Sequence, residues 1–575
     1  MWINPEVNNL TLSINMSISH SYLPRFLVIL LFLTTTCLTF TEGCSRGNEC
    51  RTGKDCSGRV TCMLGICVAL EAGQQKEVVV PDETFAEEKV VIDGGTANEV
   101  VIEPTVEMPP QNNCPSCWLF LVEDTRQGSA NVITSQTVQS KTGDYYVALR
   151  YTGTLKIENK TYSAKGTDTL LIKVNEKGKL EWAQSFGAKD ALIYVNAIRL
   201  DASESSLFIV GNYKGSLLLG TNLLTSTGTT VDSFVARFDL KKQEFTWLTQ
   251  IAGNNDNPTV TMALDSKNNS HVLVYSLGKL TFRPAGTIKE VPGQSNNFII
   301  RFDPTGKPTR YVAPKIIHGL IARVAIDQKS DRLYLVGHFK ESMTWDDTNT
   351  YATGASDKVH HLFLAELDTS YSLKWLKHYE TADVDQTEFF PNGLLVTDKH
   401  ILVASSWRGK TAFKSPHTLT AVDQSTDTID MFAAKFDRQG QVLKTRQFGD
   451  KKADYGFDII KDPKGGFYLG GTYISDAFNT KQTGLKHAKP AVGSDPVVVH
   501  LDDQFNPTWL QSVPGGDPKS AYSDREALER IFVDNQGNVI MAGRFLPPAQ
   551  FGNKKVTLHS ASSNGYFLWQ IGPRP

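Results

Sequence analysis

The 575-residue sequence lacks the short motifs that mark common catalytic sites. It contains no complete Gly-x-x-x-x-Gly-Lys-Ser/Thr phosphate loop and no His-Glu-x-x-His zinc motif. Its 12 histidines are scattered, and the one adjacent pair, His360 and His361, is interpreted as an exposed loop edge in preference to a metal pair. We therefore predict no catalytic residue, no cofactor site and no metal site.

The sequence also has only one apolar run of notable length. This run follows Arg25 and extends to Phe40. At roughly 15 residues and about 1.5 Å of rise per residue, it is too short to cross the hydrocarbon core of a bilayer as a helix. Residues 1–43 are therefore predicted to be an export signal, with Met16 offering a more usual starting point than Met1.

Basic and acidic residues nearly balance along the chain, except in one acidic segment. The whole chain has 59 Lys and Arg against 61 Asp and Glu. Residues 71–113 hold ten acidic residues against two lysines, together with four prolines. A segment of this composition buries too little apolar surface to order itself, so we predict a flexible acidic linker. The small positive excess on the rest of the chain is too weak to indicate a nucleic-acid partner.

One short apolar strand recurs seven times along the chain. The copies lie about 65 residues apart at residues 170–175, 234–239, 298–303, 362–368, 431–437, 497–502 and 566–572. A fixed period of this size, made of turn-rich strand units, is typical of a β-propeller.

Around each copy the same order of four strands, A to D, can be recognised. Strands A and B are clearest at residues 530–534 and 539–545, which flank a turn rich in Asn and Gly. The recurring run is strand C, and strand D usually carries a tryptophan. The seventh unit ends without a strand D, but residues 117–122 match strand D of the preceding unit, residues 508–513. We predict an all-β, seven-bladed propeller over residues 114–575, closed by this N-terminal strand beside residues 566–572.

The repeat resembles that of a known family. Residues 532–539 (Phe-Val-Asp-Asn-Gln-Gly-Asn-Val), with residues 263–265 and 325–327, resemble the unit of the bacterial SBBP-type β-propeller repeats. This resemblance implies the fold over residues 114–575. It implies no shared catalytic residues.

The chain has eight cysteines, seven of them beyond the apolar run. Gly43-Cys44 resembles the processing site of bacterial lipoproteins, which implies that Cys44 carries a lipid, although Thr41 and Glu42 depart from that pattern. The even set of six that remains suits an oxidising compartment. These six cysteines are Cys50, Cys56, Cys62, Cys67, Cys114 and Cys117.

The first four of those six lie within residues 44–70, which we interpret as a small disulfide-rich segment. Zinc is the competing interpretation, but paired CxxC knuckles are absent. Cys114 and Cys117 do have CxxC spacing. We interpret them as a structural bridge, since a redox role requires a βαβ context that this segment lacks.

Binding residues are expected on the face formed by the B-to-C and D-to-A loops, because the longest connections, near 20 residues, are B-to-C loops. The candidates in the D-to-A loops are Asp190, Asp256, Asp383, Asp385, Asp454 and Asp517. They are either solvated turn carboxylates or a ring that binds a cation or a sugar.

Two functions remain open. The favoured one is a lipid-anchored binding or scaffold protein, exported to an outer membrane or cell surface, that recognises a protein or a glycan. The alternative is a hydrolase or lyase acting on extracellular polysaccharide, with two of these carboxylates as acid and base.

Overall fold

The computed structural model describes most of the chain beyond residue 117. It covers residues 60–63, 66–69 and 117–124, and then residues 131–573 except 190, 227–229, 254–255, 257, 293–295, 347–348, 353–358, 380–386, 410, 414–415, 421–427, 450–451, 475–493, 515–526, 547, 553 and 557–563. The chain divides into two compact units, residues 1–102 and 103–575. Every regular element described is a β-strand. In these described residues, no helix has the length and apolarity needed to cross a membrane.

The first unit contains one hairpin in its described part. Strand Val60–Met63 pairs antiparallel with strand Ile66–Ala69, and Cys62 stands opposite Cys67 in the register. The proposed lipid site Cys44, and Cys50 and Cys56, lie outside the described residues. The lipid and the disulfides of this segment therefore stay predictions.

The second unit is built from antiparallel sheets that each contain four strands in the order A, B, C, D. Sheet 1 holds Asn131–Gln139, Tyr145–Thr152, Asp168–Val174 and Leu180–Phe186. Sheet 2 holds Leu192–Leu200, Ser206–Lys214, Asp232–Asp239 and Glu244–Gly253. Sheet 3 holds Thr259–Leu264, Ser270–Tyr275, Asn297–Phe302 and Pro308–Val312. Sheet 4 holds Leu320–Asp327, Arg332–Phe339, His361–Leu367 and Leu373–Tyr379.

The same order continues through three further sheets. Sheet 5 holds Glu388–Val396, Ile401–Arg408, Ile429–Phe436 and Val442–Phe448. Sheet 6 holds Asp454–Lys461, Phe467–Tyr473, Asp495–Leu501 and Pro507–Ser512. Sheet 7 holds Ala527–Val533, Asn538–Phe545, Gly565–Pro573 and, as its strand D, Leu119–Asp124. The fold is thus all-β and propeller-like.

Strand D of sheet 7 comes from the opposite end of the unit. It pairs antiparallel with strand C, with Leu119 opposite Trp569 and Val122 opposite Tyr566. Cys117, just before this strand, is disulfide-bonded, while its predicted partner Cys114 lies outside the described residues. The N-terminal strand therefore occupies the edge that the last repeat leaves without a partner.

Most B-to-C connections, which the sequence suggests are long loops, contain small hairpins. The hairpins of sheets 1 to 3 are Thr154–Ile157 with Lys160–Ser163, Ser216–Leu219 with Asn222–Thr225, and Leu280–Arg283 with Glu290–Val291. Those of sheets 4, 5 and 7 are Ser342–Thr344 with Thr350–Ala352, Thr411–Ala412 with Leu419–Thr420, and Ala549–Phe551 with Lys554–Val556. The strand Lys315–Ile316 also pairs with the hairpin of sheet 4. The hairpins of sheets 1 and 3 extend strand D of the preceding sheet, which covers an otherwise open edge.

Each sheet is buried on both of its faces. Seven apolar clusters lie between consecutive sheets, and one of them joins sheet 7 to sheet 1 through Phe120 and Val122 packed with Tyr145 and Val147. A strand covered on both faces needs apolar residues at successive positions. This requirement explains why strand C reads as a mainly apolar run in each repeat.

The tryptophans of strand D pack between consecutive sheets, as their fixed position predicts. Trp247 of sheet 2 lies against the glycine of the C-to-D turn in sheet 3, where a Cβ on Gly306 would stand 2.5 Å from Trp247 Cε3. Its Nε1 donates a hydrogen bond to the carbonyl of Pro304 at 3.0 Å. The same contact recurs between Trp118 and Gly178 and between Trp375 and Gly440.

Most strands that lead into a short turn end in an aspartate that accepts hydrogen bonds from the turn, and Asp265 is the clearest example. Its carboxylate accepts hydrogen bonds from the Asn269 main-chain N–H at 2.8 Å and from the Asn269 side chain at 2.7 Å. His271 Nε2 lies 3.3 Å away. Burial alone would raise the pKa of Asp265, but the hydrogen bonds from His271 and Asn269 outweigh burial and lower the pKa to about 2.

Candidate functional site

The seven A strands share a local irregularity that sets the geometry of the candidate site. Each carries a β-bulge at the equivalent position, where one residue is added opposite strand B. The added residues are Ile133, Asn196, Val260, Ala322, Asn392, Phe457 and Glu529. A bulge bends its strand and re-aims the side chains beside it. The seven repeats therefore each have a redirected side chain at the same position along strand A.

These A strands contact one another in sequence. Strand A of each sheet contacts strand A of the next, and strand A of sheet 7 contacts that of sheet 1. At three of these contacts, a polar residue at the bulge forms a hydrogen bond to strand A of the next sheet. Asn196 and Asn392 donate to the carbonyls of Thr259 and Gly456, at 2.5 Å and 2.9 Å. Glu529 accepts a hydrogen bond from the Ser135 main-chain N–H at 2.9 Å.

Three arginines, Arg199, Arg323 and Arg530, form what we call the arginine cluster. Arg323 and Arg530 directly follow the bulged residue of sheets 4 and 7, and Arg199 lies three residues beyond the bulge of sheet 2. All three side chains are part-exposed. Asp458 occupies the same position in sheet 6 as Arg323 and Arg530 do in theirs.

The cluster contains one ion pair. Arg530 Nη1 lies 3.4 Å from Asp458 Oδ1, and the other oxygen of Asp458 accepts a hydrogen bond from the Ile531 N–H at 3.1 Å. Burial and, after it, the charge of Arg530 lower the pKa of Arg199 to about 10, with Asp458 acting in the opposite direction. The pKa of Arg323 falls to about 10 for the same reasons, with Arg199 adding to the effect. The charges of the three arginines therefore act on one another.

Main-chain oxygens hold the other two arginines in place. Arg323 donates from Nε to the Asn392 carbonyl at 2.5 Å and from Nη1 to the Ala322 carbonyl at 2.7 Å. Arg199 donates from Nη1 to the Ile198 carbonyl at 2.8 Å. Carbonyl acceptors fix the orientation of a guanidinium without neutralising its charge.

Glu529, the carboxylate that bulges from sheet 7, is already engaged. Arg544 Nε lies 3.0 Å from its Oε1, and both the main chain and the hydroxyl of Ser135 donate to its Oε2. Burial raises the pKa of Glu529, although Arg544 and Ser135 act in the opposite direction. Glu529 therefore joins sheet 7 to sheet 1 as a structural contact.

Two of the six aspartates predicted for the ligand face are described. Asp256 is exposed and accepts a hydrogen bond from the Val231 N–H at 2.8 Å. Asp454 is fully buried and accepts one from the Ile474 N–H at 2.8 Å, which is a loop-anchoring contact. Asp190, Asp383, Asp385 and Asp517 lie outside the described residues, so a ring of carboxylates stays a prediction.

The histidine pair is not at an exposed loop edge, and that interpretation was wrong. His360 and His361 are only 5% and 4% exposed. The ring of His360 stacks on that of His338 with centroids 4.6 Å apart, and their Nδ1 atoms are 2.7 Å apart. Burial, followed by the charges of His338 and Lys340, lowers the pKa of His360 to about 2. Among the residues that the structure describes, no group of three or more His, Cys, Asp or Glu is placed to hold a metal ion.

Sequence reasoning missed the arginine cluster. The signal was present as a charged residue four positions before the aspartate that closes strand A, in the pairs Arg323 and Asp327, Asp458 and Asp462, and Arg530 and Asp534. A charge at one fixed position of an apolar strand is expensive to bury without a partner. Its recurrence in three repeats therefore indicates a shared environment.

No protein-family model matches the chain, and no curated protein sequence matches it. Solved structures do show similarity at low identity. Hydrazine synthase of Kuenenia stuttgartiensis matches with a TM-score of 0.38 at 10% identity, over 76% of this chain and 98% of that one. Cobalt-substituted ACO of Synechocystis matches with a TM-score of 0.32 at 11% identity, over 79% and 96%. Quinohemoprotein alcohol dehydrogenase of Comamonas testosteroni gives 0.30 at 8%, over 78% and 77%. At these scores the likenesses carry no argument about activity.

Proposed function

We propose that this protein is an exported, lipid-anchored binding or scaffold protein whose second unit is a closed seven-bladed β-propeller. The ring is supported by seven sheets of four strands, by the pairing of Leu119–Asp124 with Gly565–Pro573, and by the apolar cluster between sheets 7 and 1. The lipid on Cys44 and the placement at an outer membrane or cell surface rest on the sequence alone.

One observation favours binding over catalysis. Of the carboxylates described at the bulges of the A strands, Asp458 is paired with Arg530 and Glu529 with Arg544. Glycoside hydrolysis needs two carboxyl groups about 5 to 10 Å apart, one able to donate a proton and the other to act as base or nucleophile. A carboxylate that already accepts hydrogen bonds from an arginine and from main-chain N–H groups has its oxygens occupied by the protein itself. This arrangement suits a rigid recognition surface.

The test uses residues 103–575, which form one compact unit. We expect this unit, immobilised, to retain a protein or glycan ligand from an extracellular extract and to release no reducing ends from polysaccharides. Lyase activity is followed by the appearance of unsaturated uronate products. Turnover of any polysaccharide that is abolished by substituting a D-to-A loop aspartate would replace the binding role with the hydrolase or lyase alternative.

A further inference from the structure

We propose that the arginine cluster binds a small oxyanion that carries two or more negative charges, such as phosphate or a di- or tricarboxylate. The site lies in the space that the seven A strands enclose, with Arg199, Arg323 and Arg530 as the binding side chains. This inference rests on the proposed binding function, and it names the chemistry of a ligand.

The placement of the arginines follows from the bulges. Arg323 and Arg530 occupy one position relative to the bulge in sheets 4 and 7, so they stand at the same level of the ring. Arg199 lies two residues further along strand A of sheet 2, on the same face of its strand as Ala197, the residue that follows the bulge there. Because A strands contact one another from sheet 1 to sheet 7 and back to sheet 1, arginines on sheets 2, 4 and 7 approach a shared space from three directions.

The charges in this space do not balance. Among the residues that the structure describes, the three guanidinium groups face one carboxylate, that of Asp458, which is ion-paired with Arg530. Glu529 is engaged with Arg544 and leaves the cluster uncompensated. Two positive charges in excess are costly in a part-buried site, and a ligand with two negative charges offsets that cost.

The donors are held ready for such a ligand. Arg323 uses its Nε and Nη1 for carbonyl contacts and its Nη2 for a longer contact, 3.4 Å, with the Asn392 side-chain oxygen, whereas the single described hydrogen bond of Arg199 uses Nη1. The guanidinium of Arg199 therefore keeps Nε and Nη2 for a ligand. A planar pair of N–H donors matches the oxygens of phosphate and carboxylate in a bidentate arrangement.

The experiment measures thermal unfolding and calorimetric binding of the full-length chain with inorganic phosphate, with citrate, and with sodium chloride at matched ionic strength. We expect phosphate, citrate or both to raise the melting temperature by roughly 3 to 5 °C near saturation, because an anion that binds only the folded state stabilises it. Sodium chloride is expected to have no such effect. A response to one anion alone identifies which of the two carries the ligand chemistry.

Two substitutions locate the effect. Arg199→Gln is expected to weaken anion binding at least tenfold and to abolish the rise in melting temperature. Arg310→Gln is the control, because Arg310 is exposed on strand D of sheet 3 and donates to the Ser370 carbonyl. Without anion, Arg199→Gln should melt at the same temperature as the unsubstituted protein or higher, since it removes one of three like charges, whereas an arginine with a purely structural role would lower it.

The proposal is overturned if neither anion binds, or if Arg199→Gln responds to the anion as fully as Arg310→Gln does. The anion titration reports on this site directly, while ligand capture by residues 103–575 reports on the binding role. Capture without anion binding would reject this site alone, and anion binding without capture would reject the wider role alone.

Discussion

The N-terminal strand of sheet 7 should matter more to stability than everything that precedes it. Deletion of residues 44–110 removes only the cysteine-rich segment and the linker, so we expect the melting temperature to change by no more than a few degrees. Deletion of residues 44–122 also removes four positions of the strand that pairs with Gly565–Pro573. This second deletion should cause aggregation or a large loss of stability, because it exposes a sheet edge.

The size of the effect follows from burial. Phe120 and Val122 are 3% and 0% exposed, and they complete the apolar cluster between sheets 7 and 1. Fully burying a side chain of this kind contributes about 1.5 to 3 kcal/mol, so the two together contribute about 3 to 6 kcal/mol. A natural domain is stable by only about 5 to 15 kcal/mol in total. Loss of this strand therefore removes a large part of the free energy that stabilises the folded state.

The assay is thermal unfolding followed by circular dichroism, with size-exclusion chromatography to detect aggregation. A point substitution separates the strand from the disulfide beside it, because Phe120→Ala leaves both cysteines of the CxxC segment in place and should cost about 3 to 5 kcal/mol. Leu223→Ala is the control, since Leu223 is 62% exposed. If the two deletions melt alike, or if Phe120→Ala costs no more than Leu223→Ala, closure of the ring by this strand is wrong.

Three further outcomes are expected. Gly306→Ala should destabilise the protein by about 1 to 3 kcal/mol more than Gly220→Ala in denaturant unfolding. Both glycines have positive φ, but of the two only Gly306 faces a ring, that of Trp247. Equal losses of stability would contradict the packing of Trp247 against Gly306. Cys44→Ala should move the protein from the membrane to the soluble fraction in cell fractionation, because acyl chains are its proposed anchor; retention in the membrane would reject the lipid. Asp265 has a lowered pKa in the folded state, so it should stabilise the protein above pH 4 and lose that contribution as the pH falls from about 4 to about 2. Asp265→Asn should therefore flatten the pH dependence of the melting temperature in that window. An unchanged profile would show that other groups cause the pH dependence.

The four-stranded sheets could be predicted because strand C recurs about every 65 residues in the sequence. A strand that packs against a neighbouring sheet on each face must be mainly apolar on both faces, so each repeat carries the same readable run. The small hairpins in the B-to-C connections were not predictable in the same way. Strands as short as Thr411–Ala412 or Glu290–Val291 contain too few residues for any periodicity, and their pairing depends on the edge that a neighbouring sheet offers.

The candidate site was harder to predict because solvent exposure depends on tertiary contacts. Asp454 and Asp256 look equivalent in sequence, since each stands where one sheet leads into the next. The fold buries Asp454 against the Ile474 N–H and leaves Asp256 exposed. His360 likewise precedes strand C as a loop residue would, and stacking on His338 buries it. The group that each of these two buried side chains contacts, the Ile474 main-chain N–H or the His338 ring, lies about 20 residues away in the sequence.

The bulge of strand A explains how one repeat can carry different chemistry at the same point. The residues that follow the bulge are Thr134, Ala197, Thr261, Arg323, Gly393, Asp458 and Arg530, which range from glycine to two charges of opposite sign. Strands B and C, by contrast, keep apolar residues at most positions, because the clusters between the sheets depend on them. A substitution after the bulge therefore changes the side chains that a ligand meets, while the packing that holds the sheets together is left in place.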